Sequence, residues 1–420
     1  MNPHTIRFVQ ASDLHLDRPI QIAADVPEHL VGDLLDAPFQ AAQAVFDLAV
    51  DEQADFLLLA GDVIDARRAE PHGLAFLLAQ FERLAERNIS VYWIAGESDP
   101  SGAWPAEVSL PAGVQLVSSS KVQRLVHYRD QEPVIAIYAA GRAARGAVPV
   151  AKLGGDDETL PSIGVAYGDV TEAVLARQKV RYLALGGRHR HQCFENSGRR
   201  ADYSGTPQAR RSHETGRRGC LLVEYTAQGQ EDELYVREVI TDRTRWLQER
   251  IDLPAGSSRR RLESLLAQRI GKLSETAAGR HLLLRWHITA GGAWGRSLRS
   301  DAGRESLLTW LREEFGRGSP AVWTAEIEVQ QRDAVAEEWF EEDTLLGDYL
   351  RLVRTYQEDE TLPLDIEAYL SESQQAGEAG ELLAFEDGTA RREALRQAAL
   401  LGAQHLLGQG DGVATRRVAE

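Results

Sequence analysis

The chain opens with a short apolar run, Ile6 to Val9, that gives way to Asp13-Leu14-His15. Read as a buried strand, the run sends Asp13 and His15 off its carboxyl end on the same side, because side-chain direction alternates with period two. Leu34, Leu35, Phe39, Ala42, Val45, Phe46 and Ala49 then recur at helical spacing. Asp55 to Asp62 reads as a strand buried on both faces and closed by Gly61-Asp62. A second helical stripe carries Leu74, Leu77, Leu78, Phe81 and Leu84, and Val91 to Ala95 is a strand running into Gly96-Glu97-Ser98-Asp99-Pro100. Ser162 to Asp169 repeats the pattern and ends in Tyr167-Gly168-Asp169. Val180 to Leu185 does so again, before Gly186-Gly187-Arg188-His189-Arg190-His191. Strands alternating with helices predict an α/β sheet covered on both faces, with ligand groups beyond the carboxyl ends of the strands.

The pattern changes from about Leu234. Ser257-Ser258 can cap a helix bearing Leu262, Leu265, Leu266 and Ile270. His281 to Ile288 alternates as a strand, a helix follows with Leu307, Leu308, Trp310 and Leu311, and Ala321 to Val329 is another strand. This predicts a small α+β module, in which His281 and His287 are read as structural. The last part is helical, with one stripe of Leu345, Leu346, Tyr349, Leu350 and Val353 and another of Leu395, Ala398, Ala399, Gly402 and Leu406. Between them, Ser371 to Ala390 has the composition of a flexible link, and Thr226 to Gln230 that of a polar turn. The segments are therefore 1–230, an α+β unit at 234–333, a helical region at 334–407, and a frayed tail at 408–420.

Composition narrows the options. At 420 residues the chain exceeds one ordinary core, and a formal charge of −17 argues against a protein that coats nucleic acid at large. Cys193 and Cys220 follow neither a zinc nor a disulfide-framework spacing, so a reducing cytoplasm is the default. No apolar run is long enough to span a bilayer, and no membrane role is expected. One local reversal stands out against the acidic background. From Gly186 to Cys220 there are eight arginines, among them Arg188, Arg190, Arg210 and Arg211, against Glu195, Asp202 and Glu214. Such a track either guides a phosphate backbone or bridges the chain's own carboxylates.

The five apolar strands each end in a group able to ligate, and every one after the first has glycine there. In this order the motifs resemble those of the calcineurin-like metallophosphoesterases, and more closely the SbcD and YhaO type of DNA-repair exonuclease. The similar stretches are Asp13-Leu14-His15, Gly61-Asp62, Gly96 to Asp99, Tyr167-Gly168 and Gly186 to His189, with Tyr203 to Arg210 and Glu214 to Val223 after them. The resemblance implies a β-sandwich flanked by helices for the first segment and a capping domain for the second. It also implies that the last helices dock an SMC-like coiled-coil ATPase; self-association into a homodimer is left open.

By position, the resemblance assigns one divalent ion to Asp13, His15, Asp62 and His189. That carboxylate–imidazole set suits manganese first, then iron or zinc. The second ion of the family would need Asp62 and the positions held here by Glu97, Tyr167 and Gly187. Glutamate can offer an oxygen, but a neutral phenol is a poor ligand and glycine offers no side chain. His191 would restore a donor only if the last turn shifted by two residues. The family's acid–base histidine is Ser98 here, and losing such a group typically removes about 10²–10⁴-fold in rate. Taken with these departures, the resemblance implies a one-ion, DNA-directed phosphodiesterase of low or no activity, with Asp62 and Ser98 at the catalytic positions. The rivals are a non-catalytic scaffold for DNA ends or an ATPase, and a phosphomonoesterase for small molecules.

Overall fold

The structure, a computed structural model, describes residues 4–21, 26–100, 102–142, 148–155, 160–227, 232–253, 257–331, 335, 337–359, 361–362, 364 and 388–408. The expected turn at Thr226 to Gln230, the link at Ser371 to Ala390 and the tail fall wholly or largely outside them. In chain order the elements are β1 (His4–Ala11), α1 (Glu28–Asp51), β2 (Phe56–Leu59), α2 (Pro71–Ala85), β3 (Ser90–Ile94), β4 (Val114–Val117), β5 (Gln123–Arg129) and β6 (Glu132–Ala140). Then come β7 (Ser162–Tyr167), α3 (Glu172–Leu175), β8 (Tyr182–Gly186), β9 (Gln192–Asn196), β10 (Arg199–Tyr203), β11 (Gly219–Ala227) and β12 (Glu233–Ile240).

These strands build two six-stranded sheets, in the orders β12-β11-β1-β2-β3-β4 and β5-β6-β7-β8-β10-β9. The first is parallel from β1 to β4 with antiparallel pairs at its β11–β12 edge, and the second has a parallel centre with one antiparallel pair at each edge. Period two decides what each strand buries and where. Phe8, Phe56, Leu58, Tyr92 and Ile94 of the first sheet meet Ile135, Ile137, Ile163, Val165 and Tyr182 of the second in a shared core. The alternate residues Val9, Ala11, Leu57, Leu59, Val91 and Trp93 face Val45, Phe46 and Ala49 of α1 and Leu77, Phe81 and Leu84 of α2. Truncating a fully buried anchor such as Phe46 to alanine costs about 3–5 kcal/mol at a site of this kind. The fold is thus an α/β sandwich of two sheets flanked by helices, the architecture the resemblance implies.

The predicted α+β module is β13 (Thr244–Asp252), α4 (Arg259–Thr276), β14 (His281–Ala290), α5 (Gly292–Arg299), α6 (Asp301–Phe315) and β15 (Val322–Gln331), with the sheet order β13-β14-β15. Ser258 caps α4, its side chain accepting from the Arg261 N–H. The boundary differs from the predicted one. Strand β12 pairs with β11 throughout its length and so completes the first sheet, which moves the start of the module from Leu234 to Thr244. Nor is the module a separate body: up to Gln330 the chain forms one compact unit, apart from Ala290–Gly295. Helix α1 makes that union, since Leu30, Leu34 and Ala37 in its first half pack with Trp246, Leu283, Ala321 and Trp323. His281 accepts from the Ala321 N–H and His287 pairs with Glu328, partners consistent with structural roles.

The second unit contains α7 (Glu337–Glu341), α8 (Leu345–Glu358) and α9 (Gly388–Gly408). Leu346, Leu350 and Val353 of α8 pack on Leu395, Ala399 and Ala403 of α9. Gly402 admits the Tyr349 ring, which stands where a Cβ would be. No described helix is long and apolar enough to cross a membrane.

Candidate metal centre

The parallel strands deliver their carboxyl ends to one place. Strand β1 stops at Ala11, two residues before the first ligand candidate, so period-two alternation does not bring Asp13 and His15 together as the sequence suggested. Backbone conformation does. Asp13, His15 and Asp62 all have positive φ, at 56°, 43° and 54°, a left-handed geometry uncommon for residues with a Cβ and concentrated at functional sites. The turn is held by hydrogen bonds from the N–H groups of Asp13, His15 and Leu16 to the carbonyls of Gly61, Asp62 and Val63. Thr206 donates to the Asp13 carbonyl, and Arg210 donates to the carbonyls of Leu14, Arg18 and Gln208.

Asp13, His15 and His189 converge so that one ligand atom of each lies within 4.8 Å of the others. The two Nε2 atoms are 3.2 Å apart, and His189 Nε2 is 3.8 Å from Asp13 Oδ1. Asp13 is fully buried; its Oδ2 accepts from Ser12 and from the Gly187 N–H, whereas its Oδ1 has no hydrogen-bond partner. A buried carboxylate oxygen with no hydrogen-bond partner, beside an imidazole nitrogen and grouped with a second, is suited to a cation, and this donor set fits a divalent ion of the manganese, iron or zinc kind. Burial pushes the Asp13 carboxyl up to about 6. Burial, reinforced by Arg210 and His189, pushes His15 down to about 2, which keeps a nitrogen lone pair available.

His189 is set by Glu214, whose Oε1 is 2.5 Å from Nδ1 while Oε2 accepts from the Arg210 and Arg211 N–H groups. Burial works against both charges, yet the His189 hydrogen bond and those N–H donors hold Glu214 down at about 2, and the carboxylates raise His189. With Nδ1 donating to Glu214, Nε2 presents its lone pair to the cluster, a carboxylate–histidine arrangement typical of metal sites.

Asp62 stands at the edge of this trio, its Oδ2 3.6 Å from His15 Nε2. Both its oxygens already have donors: Oδ1 accepts from the Ser98 N–H at 2.7 Å and Oδ2 from the Tyr167 hydroxyl at 2.8 Å. Burial and the Asp62 charge push the Tyr167 phenol above its ordinary range, so it is a neutral donor. Its ring lies among three glycines. A Cβ on Gly61 or Gly96 would come within 2.4 Å or 2.9 Å of the ring, and one on Gly187 within 3.2 Å. The absence of a side chain at Gly187 is therefore the room Tyr167 occupies. Asp99, whose carboxyl burial raises to about 6, ties the neighbouring loop by accepting from Asp62, Val63 and Gly96 N–H groups and the Trp93 indole.

The other sequence candidates lie elsewhere. Glu97 is exposed and its carboxylate is 3.5 Å from Arg142, outside the cluster. His191 pairs with buried Asp202, itself held by Arg200. Ser98 does reach the site, its Oγ 3.3 Å from His15 Nδ1. Of the basic track, Arg190 and Arg211 are exposed. Arg188 is paired with Asp169 and lies over the Tyr203 ring. Arg210 departs from its expected phosphate-facing role: it is 6 % exposed and gives its N–H groups to the loop carbonyls, making it part of the framework. Glu214, Tyr167 as a donor, Asp99 and Arg18 were not anticipated. The signal for Glu214 was its isolation as an acid between arginines.

Residues 6–191 match the sequence profile of the family described as calcineurin-like phosphoesterase, and this part of the chain is a calcineurin-like metallophosphoesterase domain. The uncharacterized metallophosphoesterase YhaO of Bacillus subtilis strain 168 is 30 % identical over 235 residues, covering 53 % of this chain and 58 % of that protein. The chain thus matches less than two thirds of that relative's length. Among solved structures, a dimetal phosphatase from Danio rerio is 12 % identical over 55 % of this chain and 98 % of its own, with a TM-score of 0.34. NAD nucleotidase of Haemophilus influenzae is 11 % identical over 75 % of this chain and 62 % of its own, with a TM-score of 0.36.

Proposed function

We propose that the protein is a phosphoesterase that works with one divalent ion, held by Asp13, His15 and His189 with Asp62 beside them, and that cleaves phosphodiester bonds of DNA slowly. The observation that carries this reading is the buried Asp13 Oδ1, which has no hydrogen-bond partner and lies 3.8 Å from His189 Nε2 in a cluster that His15 completes. A bound divalent ion of this kind polarises a phosphoryl oxygen and lowers the pKa of water. The chain's own residues orient the donors: Glu214 fixes the His189 ring, Ser98 contacts His15, and Arg210 and Thr206 hold the left-handed turn. Tyr167 argues for a single ion, because its ring occupies the space beside Gly187 and its hydroxyl takes up Asp62 Oδ2. Low activity follows from the absence of an imidazole at Ser98.

DNA as substrate is supported by the motif resemblance and by exposed Arg190 next to His189, with Arg211 further along the track. The helical unit, with Leu345, Leu352 and Leu401 exposed, is proposed to dock an ATPase partner of the coiled-coil type. The test is cleavage of linear and single-stranded DNA with manganese, using His15→Ala as control. Slow cleavage lost in the variant supports the enzyme; DNA binding with no turnover in either protein would make it a scaffold.

A further inference from the structure

Arg18 belongs to none of the strand-end motifs, yet the ligand turn fixes where it starts, because its N–H donates to the His15 carbonyl at 3.0 Å. Its Nε donates to Asp17 Oδ2 at 3.2 Å, and Asp17 is itself anchored, its Oδ1 accepting from the Asp65 N–H. Its Nη2 donates to Ser98 Oγ at 3.2 Å, and that oxygen lies 3.3 Å from His15 Nδ1. A guanidinium therefore stands one hydroxyl away from an imidazole of the cluster. Its side chain is 38 % exposed, and Nη1 meets no acceptor among the described residues. Arg210, the other guanidinium acting on His15, is buried and bonded to carbonyls. Arg18 alone of the two can meet an incoming anion.

We propose that Arg18 binds a non-bridging oxygen of a phosphoryl group seated on the Asp13–His15–His189 cluster, a role that rests on the phosphoesterase reading above. A guanidinium is well suited to it, since it stays charged at any working pH and its planar fork matches phosphate oxygens. Asp17 orients its Nε edge, and Ser98 Oγ, accepting from Nη2, steadies the other end.

The experiment compares full-length wild type, Arg18→Ala and Arg18→Lys. Inorganic phosphate binding is measured by calorimetry on metal-free and manganese-loaded protein, and manganese binding by paramagnetic resonance. The expected result is phosphate affinity weakened at least about tenfold in Arg18→Ala and partly recovered in Arg18→Lys, with manganese affinity moved less than about twofold. With bis(p-nitrophenyl) phosphate, a diester, kcat/KM falls in the same order. Wild-type phosphate affinity in Arg18→Ala, or no phosphate binding by wild type in either state, overturns the proposal and leaves the metal reading intact. Failure of wild type to bind manganese overturns the metal reading, and Arg18 is then judged on the metal-free titrations alone.

Discussion

If Tyr167 occupies the room left by Gly187, the two positions must be energetically coupled, and the coupling can be measured. Gly187 has φ 101°, so Gly187→His carries a left-handed backbone cost of about 1–2 kcal/mol. Its Cβ would stand 3.2 Å from Tyr167 Cζ and 3.3 Å from Cε2, and an imidazole beyond it has to displace the ring. Overpacking of that kind costs about 1–3 kcal/mol more. Tyr167→His alone removes the phenol's hydrogen bond to a buried carboxylate, roughly 1.5–3 kcal/mol. In the double variant the steric conflict is gone, so it should be more stable than the singles imply by about 1–3 kcal/mol. Urea unfolding of the four metal-free proteins gives this cycle directly. The double variant also sets two imidazoles beside Asp62, and elemental analysis after manganese equilibration should show its metal content rising above that of wild type. Additive single effects, or equal metal content in wild type and double variant, would refute the idea that Tyr167 fills a ligand position.

Other expectations are simpler. Glu214→Gln should weaken divalent-metal binding about 10–100-fold, because the ring of His189 loses its carboxylate, and a metal titration checks it. Arg210→Met should destabilise the protein by about 2–4 kcal/mol, since the Leu14 carbonyl and its neighbours lose their donor; DNA affinity at matched metal loading should change little. His127 is buried against Phe56 with Nδ1 3.1 Å from the Tyr92 hydroxyl, and burial lowers its pKa. The folded state therefore disfavours its protonation: the stability it confers is complete above the unfolded pKa near 6.5 and declines as pH falls below it. His127→Phe should flatten the slope of stability against pH between about 6.5 and 5 relative to wild type, as read by unfolding at each pH.

The residues of the centre were legible in the sequence to the extent that they sit directly after apolar strands. Asp13, His15, Asp62 and His189 could be named because each follows such a run and because the order of the motifs resembles that of the calcineurin-like phosphoesterases, although the reason Asp13 and His15 converge is a left-handed turn that alternation does not describe. Glu214 lies 25 residues from His189 and meets it only across a folded loop, so no local pattern reveals the pair. Arg210 was misjudged because an arginine among arginines reads as surface charge, and only the geometry shows carbonyls waiting for it. Strand β12 alternates exposed and half-buried residues at a sheet edge, which made the domain boundary appear too early. In α1 the sequence marked the helix from Leu34, but the turns before it, from Glu28, bury Leu30 against the α+β module and were legible only in three dimensions.

The most direct test of the account is a count of ions per chain. Wild type and His15→Ala are equilibrated with manganese, freed of unbound metal and analysed for metal and protein together. One ion per wild-type chain, lost in the variant, is the predicted result. No ion, two ions, or one that survives removal of the His15 imidazole would contradict it.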